Sequence, residues 1–455
     1  MLIELAVALS VGTLLLLCIN PIAGVAALFI AKPLIDATWG HRVLFDLPLT
    51  QIISGLVPLV ILPRLLFGGA EQSLRTMPLR WIWLLYASYL TVAAMTIVYN
   101  EGVQSGLNIW LRHINGLVGF FMIQAFFHEG HKLKQLLVAL IVAGLFPIGV
   151  GLYQLITGTV WGGDEQQVEG IIRNVGLYHD AITVRHYAFQ TILALFLYGA
   201  LVARTHLAVR AGLLLYMAMA TVVMAKAYSK AGLLILALWA ASWMILQRRL
   251  VPLMVLVGTV TAFSMFAASD YLQQVLAIFQ KELGFLAGNV AADRTFNGRW
   301  YIWHGMFLEW EKLGWAAQMF GSGKIALGAH NDFFLILFHG GVIGLVLYLS
   351  LLVTVGWKIA RNVVRQADAF AVAALMVFLS WMVDTVGLVP SAYSGYQWFV
   401  WGIIGLSFRM RAEEQESLRV ASEISVSDVT NEWGNGDILD TAPAVTGRQY
   451  PLVSG

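Results

Sequence analysis

Long apolar runs separated by short polar stretches fill most of this chain, and one long polar stretch, about residues 270–331, interrupts them. A helix that crosses a bilayer needs about 20 consecutive apolar residues. In hydrocarbon every backbone N–H and C=O must be paired inside a helix or a closed barrel. The runs here are too long for barrel strands, so they predict helices, and the expected fold is all-α and polytopic. About twelve transmembrane helices are expected, near 3–31, 47–67, 79–98, 106–127, 134–157, 182–203, 209–226, 229–247, 251–269, 332–357, 368–387 and 395–411. The first run is long for one helix, and Asn20-Pro21 offers a point where it divides. The long polar stretch forms a loop between the ninth and tenth spans. Within it, Asn297 to Lys312 reads as an amphipathic helix capped by Asn297, with Trp300, Trp303, Phe307 and Trp310 on one stripe. Residues 412–455 are polar, with little apolar periodicity, and are expected to be a disordered tail. That leaves 1–411 as the transmembrane domain.

Composition confirms the class and charge gives the sidedness. Apolar residues make up 59% of the chain and charged residues 12%, about half the charged share of a soluble domain. The net charge of +2 comes without a basic tract, so nothing points to a nucleic-acid partner. The single cysteine, Cys18, excludes an intrachain disulfide and any multi-cysteine metal site. The start, Met1-Leu2-Ile3-Glu4, lacks the basic region of a removable signal peptide. Lys and Arg gather in alternate short loops: Arg64, Arg75 and Arg80; Lys132 and Lys134; Arg204 and Arg210; Arg248 and Arg249; Lys358, Arg361 and Arg365; Arg409 and Arg411. The positive-inside rule places these loops in the cytoplasm. The tail lies with them, and the 270–331 loop faces outward.

With that orientation, the unusual polar residues fall at the outer side. Arg112 and His113 sit near the outer end of the fourth span. Arg173, His179, Asp180, Arg185 and His186 surround the start of the sixth, Lys226, Ser229 and Lys230 the turn before the eighth, and Asp384 the end of the eleventh. The large loop adds Arg294, Arg299 and His330. Taken singly, each is explained by a helix-end side chain reaching toward headgroups, and the tryptophan stripe by an interfacial helix. Taken together, they point to one polar cavity open to the outside. The excess is positive, which suits an anionic substrate. Arg forks bind phosphate in bidentate fashion and stay charged, so a lipid diphosphate at headgroup level matches both charge and depth. His330 can accept a proton near neutral pH or only donate a hydrogen bond to phosphate. Asp332 is the competing base, but two residues along a helix it points about 200° away. Arg185 and Asn331 are further candidates. His339 reads as a core histidine and His304 as a loop-surface residue. No Asp-x-Asp or His-x-x-x-His spacing occurs in the loop, so metal-independent chemistry without a cofactor is expected.

Several of these pieces also occur in a recognisable order. Gly298-Arg299-Trp300, Trp303, Gly321-Ser322-Gly323, Ala329-His330-Asn331-Asp332-Phe333 and Gly340-Gly341-Val342-Ile343-Gly344-Leu345 together resemble the signature of the O-antigen ligase and O-antigen polymerase superfamily. Upstream, Arg173-Asn174-Val175-Gly176-Leu177-Tyr178 resembles the family's Arg-x-x-Gly segment. Tyr228-Ser229-Lys230-Ala231-Gly232 resembles its Ser-Arg-Gly-Ala-type helix start, with Lys230 in place of the usual arginine. The family's proline-containing segment after the glycine is missing, and His179-Asp180 stands nearby instead. By motif the resemblance covers roughly 170–350, and before that it rests on hydropathy.

The resemblance implies a GT-C-like inverting glycosyltransferase of the bacterial inner membrane, acting in lipopolysaccharide or exopolysaccharide biosynthesis. Its substrate would be an undecaprenyl-diphosphate-linked glycan, and its acceptor either lipid A–core, for a ligase, or a growing polysaccharide, for a polymerase. It also implies that Arg173 and Arg299 bind diphosphate and that His330 lies nearest the chemistry. Lys230, Arg294 and Arg112 would add positive charge. A lipid-linked oligosaccharide transporter or flippase is the alternative of another class. It would show internal repeats and broken helices meeting near the midplane, and no repeat is visible.

Overall fold

The computed structural model describes residues 2–44, 47–68, 74–161, 166–168, 170–201, 206–246, 269–291, 298–326 and 328–434. Nearly all of the ninth expected span, Arg204, Arg248, Arg249, Arg294, Asn297 and the tail beyond 434 lie outside them. The fold is all-helical, with two short two-stranded hairpins as the only sheets among the described residues.

The chain begins with α1 (Leu2–Ile19) and α2 (Pro21–Asp36). The expected division at Asn20-Pro21 is real. Asn20 leaves the helical region and caps α2, its side chain accepting from Ala23 N at 3.2 Å. Gly24 lets α2 pack closely on α1, since a Cβ there would lie 2.3 Å from Leu17 Cα. The hairpin of β1 (Arg42–Leu44) and β2 (Leu47–Pro48) leads to α3 (Leu49–Phe67). Then come α4 (Arg80–Glu101), α5 (Val103–Phe126) and α6 (Gly130–Thr157). A second hairpin, β3 (Gln167–Val168) and β4 (Ile171–Ile172), precedes α7 (Ala181–Leu201), α8 (Leu207–Lys226) and α9 (Lys230–Leu246). The polar loop holds α10 (Ser269–Ile278), α11 (Gln280–Leu286), α12 (Arg299–Glu311) and α13 (Trp315–Phe320). The chain continues with α14 (Asp332–Arg365), α15 (Ala369–Gly387), a 3-10 turn at Pro390–Ala392, and α16 (Ser394–Gly434).

Seven helices among the described residues are long and apolar enough to cross a membrane: α1, α3, α4, α6, α8, α14 and α15. This marks a polytopic membrane protein. Other expected spans form helices but carry more polar groups or are shorter. α5 contains Arg112, His113 and Asn115, and α7 contains Arg185, His186 and Gln190. These polar helices sit inside the bundle. The run Ile114–Phe126 of α5 is buried throughout, as is most of α7 up to Leu195. Lipid gives little hydrophobic drive for helices to associate, so close packing and internal polar bonds must supply it. α5 and α16 show both. A Cβ on Gly119 would lie 2.6 Å from Trp398 Cα, one on Gly405 2.4 Å from Phe120 O, and Trp398 Nε1 donates to Asn115 Oδ1 at 2.8 Å.

Compact unit 1 is Met1–Arg409; unit 2, from Met410, is helical through Gly434.

The polar loop is fastened to the bundle through α13. α14 breaks at Gly341 (φ 63°), and Gly321 beside it has φ 109°. A Cβ on Gly341 would lie 2.3 Å from Met319 O, and one on Gly321 2.1 Å from His339 O. Ser322 N donates to Phe338 O at 2.8 Å, Tyr89 Oη to Gly340 O at 2.6 Å, and Asn100 Nδ2 to Gly323 O at 3.1 Å. Gly341→Ala combines a left-handed backbone strain of about 1–3 kcal/mol with a backbone clash. Gly298→Ala has comparable strain in open space. Thermal unfolding in detergent is therefore expected to show a clearly larger fall in Tm for Gly341→Ala than for Gly298→Ala.

Candidate active site

The polar ends of α7, α9, α15 and α16 meet at one end of the bundle around a buried ion pair. Arg185 Nη2 lies 2.7 Å from Asp384 Oδ1, and the side chains are 1% and 0% exposed. Removing such charges from water costs several kcal/mol each, and further hydrogen bonds to the pair help to offset that cost. Here Arg185 Nη1 donates to Ser229 Oγ at 3.2 Å, and Tyr396 Oη donates to Asp384 Oδ2 at 2.9 Å. His186 Nε2 lies 3.4 Å from the same carboxylate oxygen, and its ring stacks on Tyr396 at 3.8 Å.

Arg173 reaches this end from the loop after β4. Gln154, an amide near the end of apolar α6, takes the place of a strand partner. Its Oε1 accepts from Val175 N at 3.0 Å and Gly176 N at 2.8 Å, while its Nε2 donates to Arg173 O at 3.0 Å. Asn174 N donates to Lys226 O at 3.0 Å, and Arg173 Nε to Ala227 O at 2.9 Å. That leaves the two terminal nitrogens of Arg173 without a partner among the described residues. Burial lowers its pKa; Asp180 opposes this, and Arg185 and Arg299 add to it. It remains a cation at any physiological pH.

Arg299 opens α12 just after Gly298 (φ 77°). The helix cap is Gly298, one residue later than the expected Asn297. A Cβ on Gly387 would lie 3.5 Å from Arg299 Nη1, so the guanidinium rests against the C-terminal end of α15, where the helix dipole favours a cation. Burial lowers the Arg299 pKa, and Arg185 adds to the effect. Neither Arg299 nor Arg112 makes a hydrogen bond or ion pair with a described residue, although Arg112 is within electrostatic reach of Asp332 and Tyr393.

His330 is exposed, with a left-handed backbone (φ 45°), between two fixed neighbours. Trp303 Nε1 donates to Ala329 O at 2.9 Å. Asn331 caps α14, accepting from Phe333 N at 2.9 Å and Phe334 N at 3.1 Å, and its amide donates to Val386 O at 3.1 Å. Burial and then the Arg299 charge lower the His330 pKa, so the imidazole is neutral near pH 7.

Three sequence expectations need correction. His330 precedes the helix, so its separation from Asp332 is set by the cap and not by 200° of helical rotation. Asp332 is 1% exposed, accepts from Ser391 Oγ at 2.7 Å and lines the same small cavity as Arg112. Lys230 is paired with Glu282 of α11 at 2.6 Å, so its charge is already answered. Sequence reading missed Gln154, Glu282, Tyr393 and Tyr396. An amide in an apolar run and two tyrosines three residues apart were the available signals. His339 accepts from Ala326 N at 3.3 Å and is a core residue; His304 is exposed. No group of three or more metal-ligand side chains occurs among the described residues.

No protein-family model matches the chain, and no curated protein does.

Asp384→Ala strands Arg185, a change expected to cost about 3–5 kcal/mol. Replacing both partners with apolar residues of similar volume, Arg185→Met with Asp384→Leu, is expected to cost much less. Thermal unfolding of the detergent-purified variants checks the order.

Proposed function

We propose that this protein is a glycosyltransferase of the O-antigen ligase or polymerase type. In that reaction it moves a glycan from undecaprenyl diphosphate to an acceptor hydroxyl at the outer face of a bacterial inner membrane. About twelve spans in a GT-C-like arrangement are the scaffold this reading implies. One observation carries it. Arg112, Arg299 and the tip of Arg173 are half-buried at one end of the bundle with no acid bonded to them among the described residues, and a neutral, exposed His330 stands within the field of Arg299. Half-buried guanidiniums with no acid hydrogen-bonded to them suit an anion.

The chemistry follows from that charge. The acceptor oxygen attacks the anomeric carbon from the face opposite the diphosphate. The bond from that carbon to the phosphate oxygen breaks, and the diphosphate leaves with the electron pair. Its developing charge falls on Arg173 and Arg299, which need no rearrangement to receive it. The acceptor proton passes to His330, whose lowered pKa keeps it free to accept. Arg294 is a secondary diphosphate candidate, whereas the charge of Lys230 is taken by Glu282. Arg185 acts by positioning. The acceptor is lipid A–core or a growing polysaccharide, and no metal or nucleic acid takes part in this scheme.

The break in α14 bears on the transporter alternative. Discontinuous transporter helices line a substrate cavity. The break at Gly341 is filled by the backbone of Met319 and Phe320, which favours the enzyme reading.

Complementation of a deletion strain, read on polysaccharide and lipopolysaccharide gels, tests the assignment. Single repeats in the deletion strain indicate a polymerase; long lipid-linked chains with bare core indicate a ligase. His330→Ala and Arg299→Ala are each expected to lower transfer about 10²-fold or more, and wild-type glycans with both variants would refute the site. The pH profile gives a second check. Because the neutral imidazole is the active form and its pKa is lowered, activity is expected to be level at pH 7 and to fall only below pH ~6.5. Arg299→Gln removes a like charge, so the acid limb of its residual activity is expected to move to higher pH.

A further inference from the structure

A second polar cavity, of about 200 Å³, lies between α2, α3, α7 and the start of α16. None of Arg112, Arg173 and Arg299 lines it. Three of its lining side chains are more than nine-tenths buried yet leave a polar atom without a partner: Tyr178 Oη, His186 Nδ1 and Gln190 Nε2. Buried polar groups in a folded protein are nearly always hydrogen-bonded, so these three lining residues hold hydrogen-bonding capacity that the fold itself leaves unused.

The charges indicate which kind of ligand would use it. Lys32, the only lysine or arginine lining the cavity among the described residues, is ion-paired with Asp36. Asp36 also accepts from Tyr187 Oη at 2.6 Å. Asp180 accepts from Thr183 N at 2.7 Å and from Tyr393 Oη at 3.0 Å. Two carboxylates around one neutralised lysine repel phosphate and retain lone pairs for hydroxyl donors. At the rim, Trp39 is 40% exposed and packs on His179 with ring centroids 3.8 Å apart. An aromatic face beside carboxylates and amides matches a pyranose ring, which is apolar across its face and polar around its edge. The volume is below the roughly 300–1,000 Å³ of drug-sized pockets and fits a single ring.

We propose that this cavity, formed by Asp36, Trp39, Tyr178, Asp180, His186 and Gln190, binds a neutral sugar ring of the acceptor glycan. Its role as acceptor subsite rests on the transfer reaction proposed above; the sugar binding itself does not. The cavity shares a wall with the cationic end. His186 lines the cavity, while its Nε2 meets Asp384 on the far side. Tyr393 binds Asp180 and lies within electrostatic reach of both Arg112 and Arg173. A ring held here has the arginines beyond Tyr393.

Saturation-transfer NMR on the full-length protein in nanodiscs tests this. The probes are the methyl glycosides of glucose, galactose, mannose, rhamnose and N-acetylglucosamine, with pyrophosphate followed separately by phosphorus line width. At least one glycoside is expected to bind the wild type, about fivefold or more weakly to Gln190→Leu and Trp39→Ala, and unchanged to Arg299→Ala. Trp39 is at the rim, so its variant keeps the test valid if Gln190→Leu does not fold. No glycoside binding to the wild type, or equal binding to wild type and folded variants, overturns the proposal. Pyrophosphate is expected to follow the opposite pattern, losing binding only in Arg299→Ala. Sugar binding without any pyrophosphate binding would support the cavity and overturn the diphosphate reading.

Discussion

Arg185 and Asp384, 199 residues apart in sequence, meet at 2.7 Å with almost no access to solvent. Neither charge is stable there alone, and further bonds to the pair come from the start of α9 through Ser229 and the start of α16 through Tyr396. Satisfying one ion pair therefore draws the polar ends of four helices to one point. In a bilayer, where burial from water gives helices little drive to associate, such polar bonds act beside close packing in fixing register. The surrounding parts of the site depend on the same point. Arg173 and Arg299 both feel the Arg185 charge, and the end of α15 that holds Asp384 also receives Asn331 and Arg299.

Two environments result on either side of His186. One is cationic, bordered by an exposed histidine. The other is close to neutral and lined by hydroxyls, an amide and carboxylates that are already partly satisfied. A reaction that joins an anionic leaving group to a polyhydroxyl acceptor needs both, kept apart until the reacting atoms meet. Tyr393, bonded to Asp180 and within the field of the arginines, stands on the boundary.

Much of this was legible in the sequence because hydrocarbon leaves few choices. Apolar runs predicted helices, Asn20-Pro21 predicted the first break, and polar residues near span ends predicted a cluster at one end. The aromatic spacing in the large loop also reads through: Phe307 stacks on Trp310, and Trp303 stacks on Phe334. Partners far apart in sequence were not legible. Nothing local to Lys230 announces Glu282, and nothing near Arg185 announces Asp384. Asp332 was misplaced because cap geometry, not helix periodicity, relates it to His330. The second cavity was invisible for the same reason, since its residues come from four separate stretches and no two of its key groups form a motif.

Gln154 has a consequence of a different kind. The backbone carrying Arg173 is held by an uncharged amide, and His330 is fixed by Asn331 and an indole N–H, also uncharged. Salt screens attraction between charges, with a Debye length of about 8 Å at physiological ionic strength, but does little to neutral hydrogen bonds. The positions of these groups are thus insulated from the medium while their pull on an anion is not. Ionic strength acts on this site as a control on substrate capture, separate from the geometry in which the captured substrate reacts.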